Sequence, residues 1–346
     1  MTTNDNADPR LHNLERWIAG LPGPAVERIA PASADASFRR YFRVHRGGVA
    51  QIAMDAPPER EGLEAWLRVA RILAATGVHV PQVIAVDAEQ GFVLMGDLGR
   101  QHYLEALGNG ADPGPLYADA VDALVLLQSG DAAAVAELPP YDRELLMREL
   151  GLFPEWFLSR HLSLALDDGE RAVIAAAFDW LCDEALAQPV VLVHRDYHSR
   201  NLLVRPEGNP GIVDFQDAVQ GPVSYDLVSL LKDCYVVWPR KRLLAWLERY
   251  RTRAAAAGIA VGRDREEFQR WFDRMGLQRH LKVLGIFARL WHRDGKAGYL
   301  GDLPRVLDYA LEVTSALPEL ASFDAFMRKR VVPAFAGVAR RGGHAR

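Results

Sequence analysis

The stretch that decides the fold is PVVLVHRDYHSRNLLV, residues 189–204. An apolar run, typical of a buried strand, leads directly into residues 194–203, which carry two His, two Arg, an Asp, a Ser and an Asn. Asp196 and Asn201 are five residues apart, and Asp214 follows thirteen residues later in the apolar segment IVDF. So many polar groups between short apolar segments indicate a loop with catalytic or ligand-binding side chains.

The spacing of these three residues matches what phosphoryl transfer from a nucleotide requires. A carboxylate must accept the proton of a hydroxyl, and hard oxygen ligands must hold Mg²⁺ on the phosphates. Asp196 is the candidate catalytic base, and Asn201 and Asp214 are the candidate metal ligands, as in the catalytic loop of kinases. Asp and Asn are also common turn residues. The joint spacing, with an apolar strand on each side, nevertheless favours the chemical interpretation.

Composition narrows the class of protein. The chain has 346 residues, of which 49% are hydrophobic and 25% are charged, enough apolar material for the core of two lobes. A net charge of -4 argues against a general nucleic-acid binder. Two cysteines, Cys182 and Cys234, are too few for a disulfide framework. Because no signal segment and no apolar run of about 18 residues is visible, we expect a cytoplasmic protein without a membrane partner.

The remaining sequence predicts an α+β fold with two lobes. After a helix over 11–20, residues 30–95 are expected to form two strands, one helix and two further strands. From 96 onward the pattern is mainly helical, with helices predicted over 116–127, 141–162, 170–187, 241–257, 264–293 and 303–316. We therefore expect a nucleotide-binding lobe over 1–95 and a helical lobe over 96–346 that holds the catalytic loop, the metal site and the acceptor site. A ligand is expected in the cleft between them.

Three segments, VHRDYHSRNLLV (193–204), IVDFQDA (212–218) and GPVSYDLVSLLKD (221–233), resemble the aminoglycoside phosphotransferase and choline kinase branch of the protein-kinase-like fold. The resemblance covers about residues 30–320 and implies ATP and Mg²⁺ as cofactors. It further implies that Asp226 braces the catalytic loop. Met95, Gly96 and Asp97, in the segment FVLMGDLG, would then meet the adenine. His194 is interpreted as a second brace of the loop.

A narrower resemblance rests on DASFRRYFRV (35–44), MDAPPERE (54–61) and GVHVPQVIAVD (77–87). These segments are similar to those of bacterial anomeric sugar kinases, which phosphorylate N-acetylmuramate and N-acetylglucosamine at C1 during cell-wall recycling. A sugar kinase of that kind is therefore the favoured interpretation. Two alternatives stay open: a kinase of the same fold for an aminoglycoside, choline or another alcohol, and a nucleotide-binding module without turnover.

The nucleotide-binding lobe departs from the protein-kinase pattern at one position. Its third strand, VAQIAMD, contains no Lys to pair with the phosphates. We hypothesise that Arg39 or Arg40 supplies this positive charge, and that Ser37 and Phe38 belong to the turn over the nucleotide. Strand alternation places the two Arg on opposite faces. The sequence does not decide which face looks into the cleft.

The acceptor-binding side chains are the least defined part of the site. Gln216 and Asp217 follow the candidate metal ligand, where members of the family would meet the acceptor. His198 fits a substrate contact or a loop brace equally well, and Trp156 fits a sugar platform or core packing. A muramate carboxylate would suit Arg or Lys, such as Lys282 and Arg289, whereas a cationic acceptor would suit Glu149 and Glu155. The physiological acceptor, the oligomeric state and the choice of ATP over GTP stay open.

Overall fold

The N-terminal lobe is an antiparallel sheet with one helix on each face. The computed structural model describes residues 8–34, 38–60 and 62–342. The sheet has five strands in the order β1-β2-β3-β5-β4. Its elements are α1 (Pro9–Gly20), β1 (Val26–Ala34), β2 (Arg40–Arg46), β3 (Val49–Asp55), α2 (Leu63–Ala75), β4 (Val83–Asp87) and β5 (Phe92–Gly96).

Strand alternation divides the side chains of this sheet between two hydrophobic clusters. Phe42, Ala53 and Leu94 face α1 and pack with its Leu14 and Ile18. On the opposite face, Met54 and Met95 belong to the main core together with Trp66 of α2, and Tyr41 and Ile52 pack against it. Each residue of β2 and β3 is thereby assigned either to α1 or to the cleft side of the sheet.

The strand β1 was not recognised in the sequence. It contains Pro31, and its pairing with β2 shifts register between Pro31 and Ser33. Proline removes a ladder hydrogen bond, so it is tolerated mainly at the edge of a sheet, which is where β1 lies. A short segment rich in alanine, with a proline inside it, carries little β signal.

The C-terminal lobe is mainly helical and contains two small two-stranded sheets. Its strands are β6 (Val190–Val193), β7 (Leu202–Leu203), β8 (Gly211–Ile212) and β9 (Val219–Pro222), paired as β6-β9 and β7-β8. Its α-helices are α3 (Tyr103–Gly108), α4 (Pro113–Gln128), α5 (Ala132–Val135), α6 (Arg143–Leu150), α7 (Asp168–Leu186), α8 (Tyr225–Leu231), α9 (Arg240–Ala256), α10 (Arg265–His292), α11 (Leu303–Ala316), α12 (Ala321–Phe326) and α13 (Val332–Gly342). Short 3₁₀ segments lie at Ala297–Asp302 and Pro318–Leu320, and π segments at Phe153–His161 and Met327–Val331.

The helix predicted over 141–162 is two elements. The α-helix α6 ends at Leu150, and a π-helix follows from Phe153 to His161 with Pro154 in its first turn. Proline has no N–H to continue the hydrogen-bond ladder of a preceding helix. Apolar periodicity runs through both elements, which explains why the sequence suggested one.

The helix α10 is the structural axis of the C-terminal lobe. Phe268, Leu277, Leu284 and many of its other residues are buried. Gly285 lets it approach the chain at Leu152, because a Cβ at position 285 would lie 2.4 Å from the carbonyl carbon of Leu152. A long buried helix of this kind fixes the side chains that it presents to the catalytic loop.

The N-terminus of α10 is capped by one side chain. Asp264 accepts a hydrogen bond of 2.8 Å from the backbone N–H of Glu267. Glu267 turns to Arg263 and accepts from its backbone N–H at 2.6 Å. The reciprocal half of a capping box is therefore replaced by a contact with Arg263.

Both cysteines are free and buried. In the part of the chain that the structure describes, no helix combines the length and apolar character needed to span a membrane. The predicted lobe boundary at residue 95 falls at the end of β5, and the division into 1–95 and 96–346 stays a prediction.

Candidate active site

A cleft of about 590 Å³ lies between the sheet and the catalytic loop. Met95, Gly96 and Asp97 line it from the N-terminal side, as the sequence predicted for an adenine-binding segment. Asn201 and Asp214 line it from the C-terminal side. The two predicted metal ligands thus share one cavity with residues 95–97, the segment that joins the lobes and is called the hinge below. The ligands and the hinge are more than a hundred residues apart in the chain.

Two residues of the catalytic loop region adopt the left-handed backbone conformation. Arg195 has φ 75° and Asp214 has φ 63°. Such conformations are costly for residues other than glycine and persist where the surrounding structure enforces them. Asp214 lines the cleft, and the pairing of β6 with β9 and of β7 with β8 holds the chain on either side of both residues.

His194 connects the catalytic loop to the strand segment that carries Asp214. Its Nε2 lies 3.1 Å from the carbonyl oxygen of Val213, and its Nδ1 accepts a hydrogen bond of 3.2 Å from the backbone N–H of Asp196. Since a carbonyl can only accept and an N–H can only donate, this assigns the neutral tautomer with the proton on Nε2. Burial lowers the pKa of His194 to about 4, so the ring stays neutral and keeps both contacts.

Asp226 holds the same loop from the opposite side. Its carboxylate accepts hydrogen bonds from the backbone N–H groups of His194, at 2.6 Å, and Arg195, at 2.9 Å. Burial raises the pKa of Asp226 to about 7, against the lowering effect of these two hydrogen bonds. The strained turn at Arg195 is therefore held by two bonds from one side chain at the start of α8.

Asn201 joins the candidate base to the candidate metal ligand. Its Nδ2 donates to the backbone carbonyl of Asp196 at 3.0 Å and to Oδ2 of Asp214 at 3.1 Å. Gln216 donates from Nε2 to the other oxygen of Asp214 at 2.9 Å. Because the amide nitrogen of Asn201 makes both contacts, its Oδ1 is the atom left for a cation.

The donor set at this point fits Mg²⁺. Carboxylate and amide oxygens are the ligands this hard cation prefers, usually few in number and completed by water and phosphate. Asn201 and Asp214 place such oxygens side by side in the cleft. Within the described residues, no group of three or more His, Cys, Asp or Glu side chains is arranged to hold a metal ion.

Asp196 is a partly buried carboxylate in a positive environment. Burial raises the pKa of Asp196, but Lys282, His198 and Arg279 outweigh burial and leave the pKa lowered. Asp196 is consequently ionised at neutral pH. Lys282 and Arg279 lie on α10, far from the catalytic loop in sequence.

The positive environment belongs to a buried charge cluster that the sequence analysis did not assemble. Glu149 pairs with Lys282, whose Nζ lies 2.8 Å from Oε1, and also with Arg195. Lys282 donates a hydrogen bond of 3.0 Å to the hydroxyl of Tyr225, and Tyr141 donates its hydroxyl proton to Glu149. Glu149 and Lys282 had been named only as separate acceptor candidates. The structure pairs them with each other.

Arg40, one of the two arginines proposed to bind the nucleotide, does not line the cleft. Arg40 lies on the α1 face of β2, where it pairs with Asp55 and with Asp8. Arg10 of α1 shares Asp55, from Nε at 2.8 Å. Arg40 is thus used to dock α1. Arg39 continues the alternation on the face of Tyr41 and Arg43, both of which line the cleft.

Arg43 is a cleft residue that the sequence reasoning missed. Its Nη2 donates to Oδ1 of Asp97 at 3.1 Å and to the carbonyl of Gly99 at 3.0 Å. The Asp97 carboxylate therefore ties β2 to the hinge. Strand alternation places Arg43 on the same face of β2 as Tyr41, so the sequence pattern could have identified it as a cleft residue.

Of the two residues predicted to form the turn over the nucleotide, the structure describes Phe38. Ser37 lies outside the described residues. Phe38 does not line the cleft, and its ring is 58% exposed with the Arg60 guanidinium 4.6 Å away. The contact of Phe38 with the nucleotide stays a prediction. The helix α2 presents Trp66 to the cleft, and its ring lies 5.3 Å from that of Phe215.

The acceptor candidates separate into those at the loop and those away from it. His198 packs edge-on against Tyr235 at 5.5 Å, and its Nδ1 has no hydrogen-bond partner. Asp217 has an exposed side chain, and its carbonyl accepts a hydrogen bond of 3.3 Å from Arg195. Trp156 is half-buried against the main core, with Arg160 5.4 Å from its ring.

A kinase-like two-lobed fold, with two candidate metal ligands in its cleft and a candidate base on the adjoining loop, defines an ATP-dependent phosphotransferase. Residues 28–297 match the model of the phosphotransferase enzyme family. The chain belongs to this family.

The relatives are consistent with this assignment. The chain is 49% identical over 317 residues to the N-acetylmuramate/N-acetylglucosamine kinase of Pseudomonas aeruginosa, covering 92% of this chain and 91% of the relative. It is 44% identical to the protein of the same name from Neisseria meningitidis, with 92% and 95% covered. Among solved structures, the ADP-bound aminoglycoside phosphotransferase APH(2'')-Ib shares the fold at TM-score 0.58 and 14% identity, covering 89% of this chain and 99% of that one.

Proposed function

We propose that this protein is an ATP-dependent kinase that phosphorylates N-acetylmuramate and N-acetylglucosamine on the anomeric hydroxyl. The observation that carries the proposal is the arrangement of three residues: Asn201 and Asp214 line one cleft, and Asn201 also donates a hydrogen bond to the backbone carbonyl of Asp196. The acceptor is suggested by the two relatives named N-acetylmuramate/N-acetylglucosamine kinase. The choice of C1 rests on the resemblance to anomeric kinases and on the chemistry of the base.

Asp196 acts as the base in this proposal. The C1 hydroxyl of the sugar donates a hydrogen bond to the Asp196 carboxylate, which takes the proton as the C1 oxygen bonds to the γ-phosphorus and the bond to the ADP oxygen breaks. An anomeric hydroxyl is more acidic than an ordinary alcohol. A carboxylate whose pKa is lowered by its cationic neighbours can therefore accept its proton late in the reaction.

Asn201 and Asp214 would hold Mg²⁺, which supplies charge neutralisation on the phosphates when it is bound. His194 and Asp226 keep the loop backbone fixed, so that the base stays aligned with the nucleotide. Met95, Gly96 and Asp97 present the hinge to the adenine, and the Arg43–Asp97 pair fixes β2 against that hinge.

The charge around Asp196 favours the proposed acceptor over the alternatives. Lys282 and Arg279 lower the pKa of Asp196, and Glu149 is already paired with Lys282 and Arg195. Aminoglycosides and choline are cations, which favour carboxylates or an aromatic cage. A neutral or acidic sugar suits this site better.

Phosphorus NMR of the purified protein with MgATP and each sugar tests the proposal. We expect a new signal that matches an authentic sugar 1-phosphate, with Asp196→Ala as the inactive control. A signal matching the 6-phosphate would overturn the regiochemistry. Turnover of kanamycin or choline, with no product from either amino sugar, would overturn the acceptor. Absence of phosphoryl transfer to all of these acceptors would favour a nucleotide-binding module.

A further inference from the structure

Arg279 is a buried cation without an acidic partner. It lies on α10 with 3% of its surface exposed, and its guanidinium carbon is 5.6 Å from the centre of the Tyr225 ring. Its Nε has no hydrogen-bond partner. Across the described ranges, no Asp or Glu forms an ion pair with it, whereas Lys282 and Arg195 both pair with Glu149. A buried charge of this kind is costly unless something neutralises it.

Arg279 lies beside the segment that braces the catalytic loop. It contacts the ring of Tyr225, and the next residue, Asp226, accepts hydrogen bonds from the backbone N–H groups of His194 and Arg195, directly before Asp196. Its charge lowers the pKa of Asp196, although no ion pair between the two forms. The residues that line the nucleotide cleft, within the described part of the chain, include none from α10, so Arg279 approaches the catalytic loop from outside the ATP cavity.

Other cations suit an acidic acceptor less well. Lys282 is occupied by Glu149 and by the hydroxyl of Tyr225. Arg289 lies ten residues beyond Arg279, which is about 15 Å along the helix, and so is far from the reacting hydroxyl. Arg200 is exposed and lies over the Tyr235 ring, 3.7 Å from its centre.

We infer that Arg279 binds the carboxylate of an acidic acceptor sugar, the lactyl group of N-acetylmuramate, and thereby sets the preference between acidic and neutral acceptors. This inference rests on the proposed function. The guanidinium is a planar fork that matches a carboxylate through two parallel hydrogen bonds. The lactyl group is attached at C3, two ring atoms from the reacting C1. A cation near Asp196, but not paired with it, is suitably placed.

The experiment compares Arg279→Gln and Arg279→Lys with the wild type on three acceptors: N-acetylmuramate, its methyl ester and N-acetylglucosamine. We expect Arg279→Gln to lower kcat/KM for N-acetylmuramate by about 10- to 100-fold, the usual range for a charged hydrogen bond. The values for the ester and for N-acetylglucosamine should change less than about threefold, mainly through KM. The lysine variant should retain part of the preference because it retains the charge.

Arg270→Gln is the matched control, since Arg270 is an exposed residue of the same helix. Equal losses on all three acceptors would overturn the inference and place Arg279 at the transferred phosphoryl group. Unchanged kinetics would also overturn it. If the glutamine variant does not fold, the lysine variant is used for the same comparison of kcat/KM between N-acetylmuramate and the two neutral acceptors. Wild-type turnover of the sugars separates this inference from the proposed function, which fails only if the wild type phosphorylates neither.

Discussion

The side-chain amide of Asn201 lies 3.1 Å from the carboxylate of Asp214 and donates a hydrogen bond to it. The same nitrogen donates to the backbone carbonyl of Asp196. One side chain therefore sets the spacing between the candidate base and the candidate metal ligand. The roles proposed for the two aspartates differ, and the difference can be measured.

Replacing Asp196 by Asn should lower kcat by about 100- to 10,000-fold, the usual contribution of a general base. Binding of MgATP should change little, because Asp196 does not line the nucleotide cleft. Replacing Asp214 by Asn should weaken binding of MgATP and lower kcat together. Calorimetric titration with MgATP and steady-state kinetics distinguish the two variants. If both lose nucleotide binding to the same degree, the assigned roles are wrong.

The two arginines before and in β2 should behave differently towards ATP. Arg40→Ala should leave the apparent KM for ATP within about threefold, because Arg40 faces α1 and pairs with Asp55. Arg39→Ala should raise that KM by about tenfold, the value of one charged contact to phosphate. Initial rates at varied ATP test this. The opposite ranking of the two variants would restore Arg40 as the nucleotide contact.

Asp55 should contribute to stability through the docking of α1. Its side chain is fully buried and is shared by Arg10 and Arg40. Asp55→Asn should lower the free energy of unfolding by about 1 to 3 kcal/mol, because both charged hydrogen bonds weaken. Urea denaturation measures this change. Glu64→Gln, at an exposed position of α2, is a control that should not differ from the wild type.

Gly285 should not tolerate a side chain. A Cβ there would lie 2.4 Å from the carbonyl carbon and 2.5 Å from the carbonyl oxygen of Leu152. Gly285→Ala should lower the free energy of unfolding by about 1 to 3 kcal/mol. Gly276→Ala, in the same helix, is the matched control, since its Cβ would meet side chains at 3.7 Å or more. Equal effects of the two substitutions in thermal denaturation would contradict this explanation.

Acidification should destabilise the protein through two buried histidines. Burial lowers the pKa of His194 to about 4 and that of His280 to about 3. In the unfolded chain both histidines bind a proton at about pH 6.5. The stability that they give the folded state is therefore complete above that pH and is lost as the pH falls towards 4. Each histidine accounts for a loss of about 3 kcal/mol in the free energy of unfolding between pH 7 and pH 4. Asp226, whose pKa is raised to about 7, opposes part of this loss, because its protonation favours the folded state.

Urea denaturation across this pH range measures the dependence. His280→Gln should make it shallower, because glutamine keeps an N–H for the carbonyl of Lys232 but does not titrate. An unchanged slope in this variant would show that His280 is not the group responsible.

Much of the site was available from the sequence because its elements are local. Asp196 and Asn201 lie on one short loop, so their spacing survives in any fold that places this loop after a strand. Hinge residues Met95 to Asp97 were expected from the family resemblance of the segment FVLMGDLG, and they line the cleft. Long periodic helices such as α9, α10 and α11 were recognised for the same reason.

Other features depended on contacts that no local pattern contains. The face of β2 that looks into the cleft is decided by where α1 docks, and so the sequence could not choose between Arg39 and Arg40. The edge strand β1 is held by pairing with β2 in spite of its proline.

The sequence by itself determined the fold class, the phosphoryl-transfer chemistry and the candidates for base, metal ligands and hinge, because each depends on residues that are close in the chain. Only the tertiary structure decided which charges surround Asp196. Glu149, Arg195 and Lys282 come from three separate elements, and they meet because α10 is buried beside the catalytic loop. Electrostatic interactions act through space, so their pattern is fixed only when the helices have packed.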